Sequence, residues 1–223
     1  MKGGIYHRTQ VEITYNSNHI EGSRLSLEQT RLIFETNTIL SEGNAARVDD
    51  ILEASNHFRC VDMVITNANR KLTEALIKRL HAMLKNGTTD SRREWFRTGQ
   101  YKALPNEVGG QATTAPEYVA DEMKQLINQY NSINYPTIDD ILDFHYHFEL
   151  IHPFQDGNGR IGRLLMFKQC LQSGIVPFII TDELKAFYYR GLHEWPQLPG
   201  YLRDTCLSAQ DDYRAMMQYF RVG

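Results

Sequence analysis

The sequence predicts a mainly α protein, a helical bundle interrupted by one short β-hairpin flap. Three features carry that prediction. Apolar residues recur at helical spacing in one segment after another. A polar, glycine-rich loop joins two of those segments. A single stretch with a Pro-Asn turn and closing glycines has poor helical character.

The elements follow in chain order. A helix beginning near Thr9 puts Ser17 and Glu21 on one face at i, i+4, and Gly22 supplies its stop. Ser26-Leu27-Glu28-Gln29 has the form of a capping box opening a short helix toward Glu35. From about Ala45 to Asn67, Val48, Ile51, Leu52, Phe58, Val61 and Ile65 recur at near-helical spacing. Thr73 to Lys85 is amphipathic through Leu76, Ile77, Leu80 and Leu84, and Asn86-Gly87 ends it. Gly99 to Gly110 is expected as the β-hairpin. Ala115-Pro116-Glu117 opens a helix toward Asn131, with proline early, where its missing N–H costs little. Thr137-Ile138-Asp139-Asp140 caps a helix bearing Ile138, Ile141, Leu142, His145, Phe148 and Ile151 on a common side. After the polar loop, helical periodicity resumes from Arg160 to Gln172 through Ile161, Leu164, Leu165 and Leu171. Asp182 to Trp195 and, past Pro196 and Pro199-Gly200, Tyr201 to Phe220 complete the chain. Residues 1–40 are expected as an amino-terminal segment ahead of a core over 41–223, the whole forming one compact domain.

The bulk composition narrows the class. Among 223 residues, 42% are hydrophobic and 23% charged, which suits one globular core. The formal net charge of −3 and the lack of a basic run argue against a nucleic-acid partner. No apolar stretch approaches the roughly 20 residues that span a bilayer, and the first residues do not lead into a signal-peptide apolar region. Cys60, Cys170 and Cys206 are few, odd in number and widely spaced, as expected in a reducing cytoplasm and not in a disulfide framework.

The most informative run is His152-Pro153-Phe154-Gln155-Asp156-Gly157-Asn158-Gly159-Arg160-Ile161-Gly162-Arg163. Its glycines let successive backbone N–H groups converge on an anion, and the following helix N-terminus adds positive potential. Arg160 and Arg163 can fork onto phosphate oxygens, and Asp156 suits Mg²⁺, which takes few carboxylates plus phosphates. His152 is placed to accept a proton from whatever attacks the phosphate. Rival readings fit less well. Gly157 to Gly162 also satisfies G-x-G-x-x-G, with Asp182 about 20 residues on, but the preceding segment has helical and not strand character. No P-loop string occurs. His145, Glu149 and His152 at i, i+4 and i+7 could present zinc ligands from one face; a hydrogen-bonded core histidine at 145 is the simpler account. A bare turn between two core helices would bury two arginines and an aspartate to no purpose.

The run resembles the signature of the Fic family, H-P-F-x-[D/E]-G-N-G-R-x-x-R, and meets every specified position. The resemblance implies a Fic-type helical bundle and a protein adenylyltransferase that moves AMP from ATP to a Ser, Thr or Tyr hydroxyl of a protein. ATP would be the substrate and Mg²⁺, or Mn²⁺ in its place, the cofactor. His152 would be the catalytic base and Asp156 the metal ligand. Gly157, Asn158, Gly159, Arg160, Ile161, Gly162 and Arg163 would bind the nucleotide. Gly99 to Gly110 resembles the Fic flap, G-x-[FY]-R-x-x-x-x-x-[IV]-G-G, which clamps a target segment by strand addition. Lys102 stands where many members have arginine, a point charge in place of a planar fork. Val108, Gly109, Gly110 and Gln111 would lie near the nucleotide. Tyr188 and Tyr189 look like the paired tyrosines that contact adenine and ribose, although Trp195-Pro196 occupies the place of a common asparagine.

Ser17-Asn18-His19-Ile20-Glu21-Gly22 resembles the family's inhibitory motif, (S/T)-x-x-x-E-(G/N), in the subclass with an amino-terminal inhibitory helix. The resemblance implies that Glu21 pairs with Arg163 and leaves ATP in a pose unsuited to in-line attack, and that the same glutamate can support removal of AMP. A charge-assisted hydrogen bond contributes about 1.5–3 kcal/mol, and each tenfold in rate needs about 1.4 kcal/mol. One such pair would restrain activity by roughly ten- to a hundredfold. The resemblance further implies self-AMPylation and allows a homodimer. Two other functions share these residues: a catalytically quiet ATP-binding regulator, and transfer of another nucleotide such as UMP.

Overall fold

The computed structural model describes residues 3–40 and 45–222. The expected boundary between residues 40 and 41 adjoins positions 41–44, and these, with Met1 and Lys2, lie outside the described residues. Nine α-helices and one two-stranded antiparallel ribbon occur among the described residues. None of those helices is long and apolar enough to cross a membrane. The chain divides into two compact units, Met1–Asp62 with Val176–Gly223, and Met63–Ile175.

In the first unit, α1 (Ile5–Ile20) starts earlier than the periodicity suggests. Its buried positions are mostly polar, so apolar spacing marks it poorly. Hydrogen bonds hold several of those groups instead: Thr9 Oγ1 lies 2.9 Å from the Tyr213 hydroxyl, Thr14 Oγ1 lies 2.9 Å from His57 Nδ1, and Gln10 Nε2 donates to Asp62 Oδ1 at 2.6 Å. α2 (Leu27–Thr36) opens with the expected box: Gln29 N–H donates to Ser26 Oγ at 3.1 Å, and Ser26 N–H donates to Gln29 Oε1 at 2.9 Å. Leu25 and Ile33 pack with Ala54 and Phe58, two residues from the amino-terminal part of α3 (Val48–Thr66). A 3-10 turn at Asp182–Leu184 leads into α8 (Lys185–Glu194), and its Asp182 N–H donates to Asn16 Oδ1 of α1 at 3.1 Å. α9 (Gly200–Tyr219) packs along α8, and Gln210 Nε2 holds the Val176 carbonyl at 2.6 Å.

The second unit is a bundle of α4 (Glu74–Leu84), α5 (Val119–Asn131), α6 (Ile138–Ile151) and α7 (Asn158–Gln172). α4 is capped by Thr73 and ends at Lys85, as its pattern predicts. α5 begins later than the expected Pro116, because the Tyr118 N–H closes a turn onto the Ala115 carbonyl at 2.9 Å ahead of the first helical residue. α6 has the Thr137/Asp140 box. Along α7, every residue from Arg160 to Cys170 is buried, the condition of a helix enclosed on all sides. Its Lys168 is fully buried, donates to the Arg70 and Ala68 carbonyls and to Gln172 Oε1, and is pushed down to about 8 by burial. The hairpin is shorter than expected, β1 (Glu107–Val108) with β2 (Gln111–Ala112) in the register Glu107↔Ala112 and Val108↔Gln111. Gly109 and Gly110 form its turn instead of closing its far end, both with positive φ as a tight two-residue hairpin turn needs.

Replacing Thr137 by Ala removes one half of the α6 box and is expected to cost about 1 kcal/mol. Leu142→Ala, at a fully buried position of the same helix, is expected to cost about 2–5 kcal/mol. Urea denaturation of the two variants beside the parent chain checks the order.

Candidate active site

His152 ends α6 in an unusual way. It is the C-cap, its N–H still bonded to the Phe148 carbonyl at 2.9 Å, with φ 49 and ψ 61. Left-handed backbone at a residue other than glycine costs about 1–2 kcal/mol and is a feature of functional sites. Pro153, next in sequence, prevents the helix from continuing.

The loop that follows is closed on itself. Asn158 Oδ1 accepts from the Phe154 N–H at 2.8 Å, and Asn158 Nδ2 donates to the Phe154 carbonyl at 2.8 Å. Asn158 is almost fully buried, so its amide shapes the loop from within. Gly157 has φ 84, and a Cβ there would press on the Leu84 side chain at 3.3 Å. The backbone thus turns into α7, whose N-terminal end, the end of a helix that suits an anion, adjoins the loop. Arg160 and Arg163 are both buried on that helix.

α4 is the platform beneath this loop. The His81 ring stacks on Phe154 with centroids 4.0 Å apart and planes 4° from parallel. Its Nδ1 accepts from the Gly99 N–H at 2.8 Å, so the proton sits on Nε2, which donates to the Asp156 carbonyl at 3.2 Å. Burial pushes this imidazole down to about 3, against the pull of the Asp156 carbonyl. Lys85 Nζ holds Asp156 Oδ2 at 2.6 Å and Asp90 Oδ2 at 3.4 Å, and Arg160 Nη2 reaches the same Asp156 oxygen at 3.3 Å. Burial pushes the Asp156 carboxyl up, but Arg160, Lys85 and the Gly157 N–H outweigh it and hold the group well below the usual carboxylate range. The Asp156 side chain is half exposed. One ionised, accessible carboxylate beside an anion loop fits Mg²⁺, which draws its remaining ligands from phosphate and water.

Lys102 answers the question that its departure from arginine raises. It is buried, its N–H donates to the Pro153 carbonyl at 2.8 Å, and its ammonium has three acceptors: Thr113 Oγ1 at 2.6 Å, Asn106 Oδ1 at 2.7 Å and the Ile151 carbonyl at 3.1 Å. Asn106 Nδ2 adds a bond to the Phe154 carbonyl at 3.0 Å. The base of the hairpin is therefore tied to residues on both sides of His152. Burial pushes the Lys102 ammonium down to about 8, with Glu122 acting the other way.

The remaining expected residues fall as follows. Val108 and Gln111 are exposed on the hairpin, and Gly109 and Gly110 are its turn. Ile161 is in the core, and Gly162 faces Glu149 and His145 of α6. In the first unit, Ser17 is buried on α1, Glu21 is its exposed C-cap, and Gly22 has φ 92. Tyr188 is buried, while Tyr189 is exposed and lines a cavity of about 830 Å³ with His19, Gly22, Arg24, Asp182 and Lys185. His81, Lys85, Asn106 and Glu149 are not singled out as nucleotide-site residues by the sequence. The one signal for the first two is their i, i+4 placement on the last turn of α4, which gives no direction to a loop some 70 residues away.

Residues 71–170 match the Fic/DOC family. Protein adenylyltransferase fic-1 of Caenorhabditis elegans is 30% identical over 183 residues, which are 80% of this chain and 35% of that protein. Protein adenylyltransferase Fic of Aedes aegypti is 27% identical over 182 residues, 80% of this chain and 36% of that protein. The chain spans about a third of the length of these curated relatives. Among solved structures, a Fic domain containing signaling protein from Bacteroides thetaiotaomicron has a TM-score of 0.75 at 28% identity, covering 95% of this chain and 81% of that one. A fic-1 fragment from Caenorhabditis elegans has a TM-score of 0.75 at 23% identity, covering 96% and 64%, a likeness of fold.

Lys102→Met removes three charge-assisted donors, each pair contributing about 1.5–3 kcal/mol. Amide hydrogen exchange at Thr113, whose N–H bonds the Asn106 carbonyl at 3.2 Å, is expected to speed up at least about tenfold. Exchange in α5 is expected to stay unchanged. A second expectation concerns acid. His81 and His145, both pushed down to about 3 by burial, stay neutral in the fold while the unfolded chain takes up protons below its ordinary histidine value near 6.5. The unfolded state then binds more protons, so stability is complete above about pH 6.5 and is lost as pH falls from there toward 3. Denaturant midpoints across that window check the slope.

Proposed function

From the Fic domain that this chain carries across residues 71–170, we propose that the protein is an autoinhibited adenylyltransferase that moves AMP from ATP onto a Ser, Thr or Tyr hydroxyl of a protein. The observation that carries this is the loop between α6 and α7. It sets a partly buried histidine, an ionised aspartate, the amides of a helix N-terminus and two buried arginines within one short stretch of backbone.

In this mechanism the triphosphate lies on the first-turn N–H groups of α7, and the guanidinium groups of Arg160 and Arg163 grip its outer phosphates. Asp156 would hold Mg²⁺, which supplies charge neutralisation along the phosphate chain. The edges of β1 and β2 are exposed, so a target segment can add to the ribbon by main-chain hydrogen bonds and bring its hydroxyl forward. His152 takes the hydroxyl proton as the oxygen attacks the α-phosphorus. The bond to the bridging oxygen breaks, and pyrophosphate leaves. Positioning and charge neutralisation do most of the work in such a reaction.

Glu21 is the restraint, and the likeness of Ser17 to Gly22 to the inhibitory motif supports that role. The same carboxylate would support removal of AMP from a modified protein. With labelled ATP, Glu21→Gly is expected to raise labelling of the chain itself or of lysate proteins by roughly ten- to a hundredfold. His152→Ala in that background is expected to abolish labelling while calorimetry still detects ATP uptake. Undiminished labelling by the His152 variant would falsify the assignment of the base.

A further inference from the structure

We propose that Glu149 is a positioning residue for His152: its carboxylate faces the inner ring nitrogen, keeps a proton there and leaves the outer nitrogen as the proton acceptor. The proposal rests on the reading of His152 as the base. Glu149 Oε2 lies 3.8 Å from His152 Nδ1, and both side chains are largely buried, 14% and 17% exposed. They sit three residues apart, but the helix ends between them. The left-handed turn at His152 swings the imidazole away from a regular helical direction, and Glu149 faces it across that turn.

The neighbouring helix is shaped around that carboxylate. A Cβ at Gly162 would lie 2.5 Å from Glu149 Oε1 and 2.7 Å from His145 Cε1. Gly162 is one of the two positions that the R-x-x-R pattern leaves open, and its missing side chain makes room for these two side chains of α6. Glu149 is therefore confined between the end of α6 and the first turns of α7. Charged or titratable groups near the pair include His145 on α6, Arg163 on α7 and Lys102 behind the Ile151 carbonyl. His145 is kept neutral by burial and by Arg163. Arg163 and Lys102 are cations, and Glu149 is the carboxylate that faces His152 Nδ1 and can favour a proton there. A carboxylate holding one imidazole nitrogen and thereby choosing the tautomer is the arrangement that general bases of this kind use.

The test is a pH titration of the imidazole by nitrogen-15 NMR, which reads both the protonation midpoint and the tautomer. Glu149→Gln, nearly isosteric, is expected to lower the His152 midpoint by about one pH unit. It is also expected to change the neutral ring from predominantly Nδ1-protonated to a mixture. Gly162→Ala keeps the charge but displaces the carboxylate, and should move the midpoint the same way. A midpoint and tautomer ratio unchanged in Glu149→Gln, or a midpoint that rises, overturns the proposal. None of these readouts needs turnover. A chain that shows the shifts but transfers no nucleotide keeps this proposal and loses the transferase reading. One that transfers nucleotide without the shifts loses only the role of Glu149. Where transfer is measured, Glu149→Gln should lower kcat while leaving the affinity for ATP unchanged, a split that a loss of packing alone would not give.

Discussion

Everything in the second unit depends on a reversal of the chain between α6 and α7, made within the residues from His152 to Gly157. Both ends of that reversal are left-handed, one at a histidine and one at a glycine. Such a path is unstable alone, and the Asn158 amide makes it self-consistent by bonding both backbone groups of Phe154. Once the loop is closed in this way, the carbonyls of Ile151, at the end of α6, and of residues 153, 154 and 156 are open to donors from elsewhere in the unit. The rest of the unit supplies donors to them: Lys102 to the first two, Asn106 to the third and His81 to the fourth.

The donors are of a consistent kind. Lys85, Lys102 and Lys168 are all buried, and each spreads its ammonium over oxygens from separate stretches of chain. A hydroxyl or amide would reach fewer of them. The desolvation of each cation is a real penalty, as the lowered values of Lys102 and Lys168 record. What the fold gains is a set of irregular segments held at fixed distances where no sheet or helix ladder could hold them. Lys85 differs in having carboxylates as partners, and it keeps Asp156 ionised at the mouth of the loop.

Much of this was legible from residues in order, and the limits have physical causes. Local rules worked where the determinant is local. The boxes at Ser26/Gln29 and Thr137/Asp140 involve residues three apart, and both form. The contiguous run from His152 to Arg163 identified the loop because its chemistry is adjacent in sequence. Local rules failed where long-range contacts decide. α1 hides its length because its inner face is polar, and the start of α5 is delayed by a turn that the proline equally allows. The hairpin glycines turned out to form the bend. The contacts of His81, Lys85 and Lys102 with the loop join residues about 50 to 75 apart, and no spacing rule reports on such pairs.

The polar inner face of α1 has a thermodynamic corollary. A helix docked through apolar area resists release with a large heat-capacity change and a steep response to urea. α1 also buries Val11, Ile13 and Ile20, but its contacts through Thr9, Gln10 and Thr14 exchange protein partners for water, so both responses are smaller than an all-apolar face would give. The strength of those polar contacts accordingly varies less with temperature than apolar burial does. A helix attached in that manner loosens by degrees, where a greasy one would let go all at once.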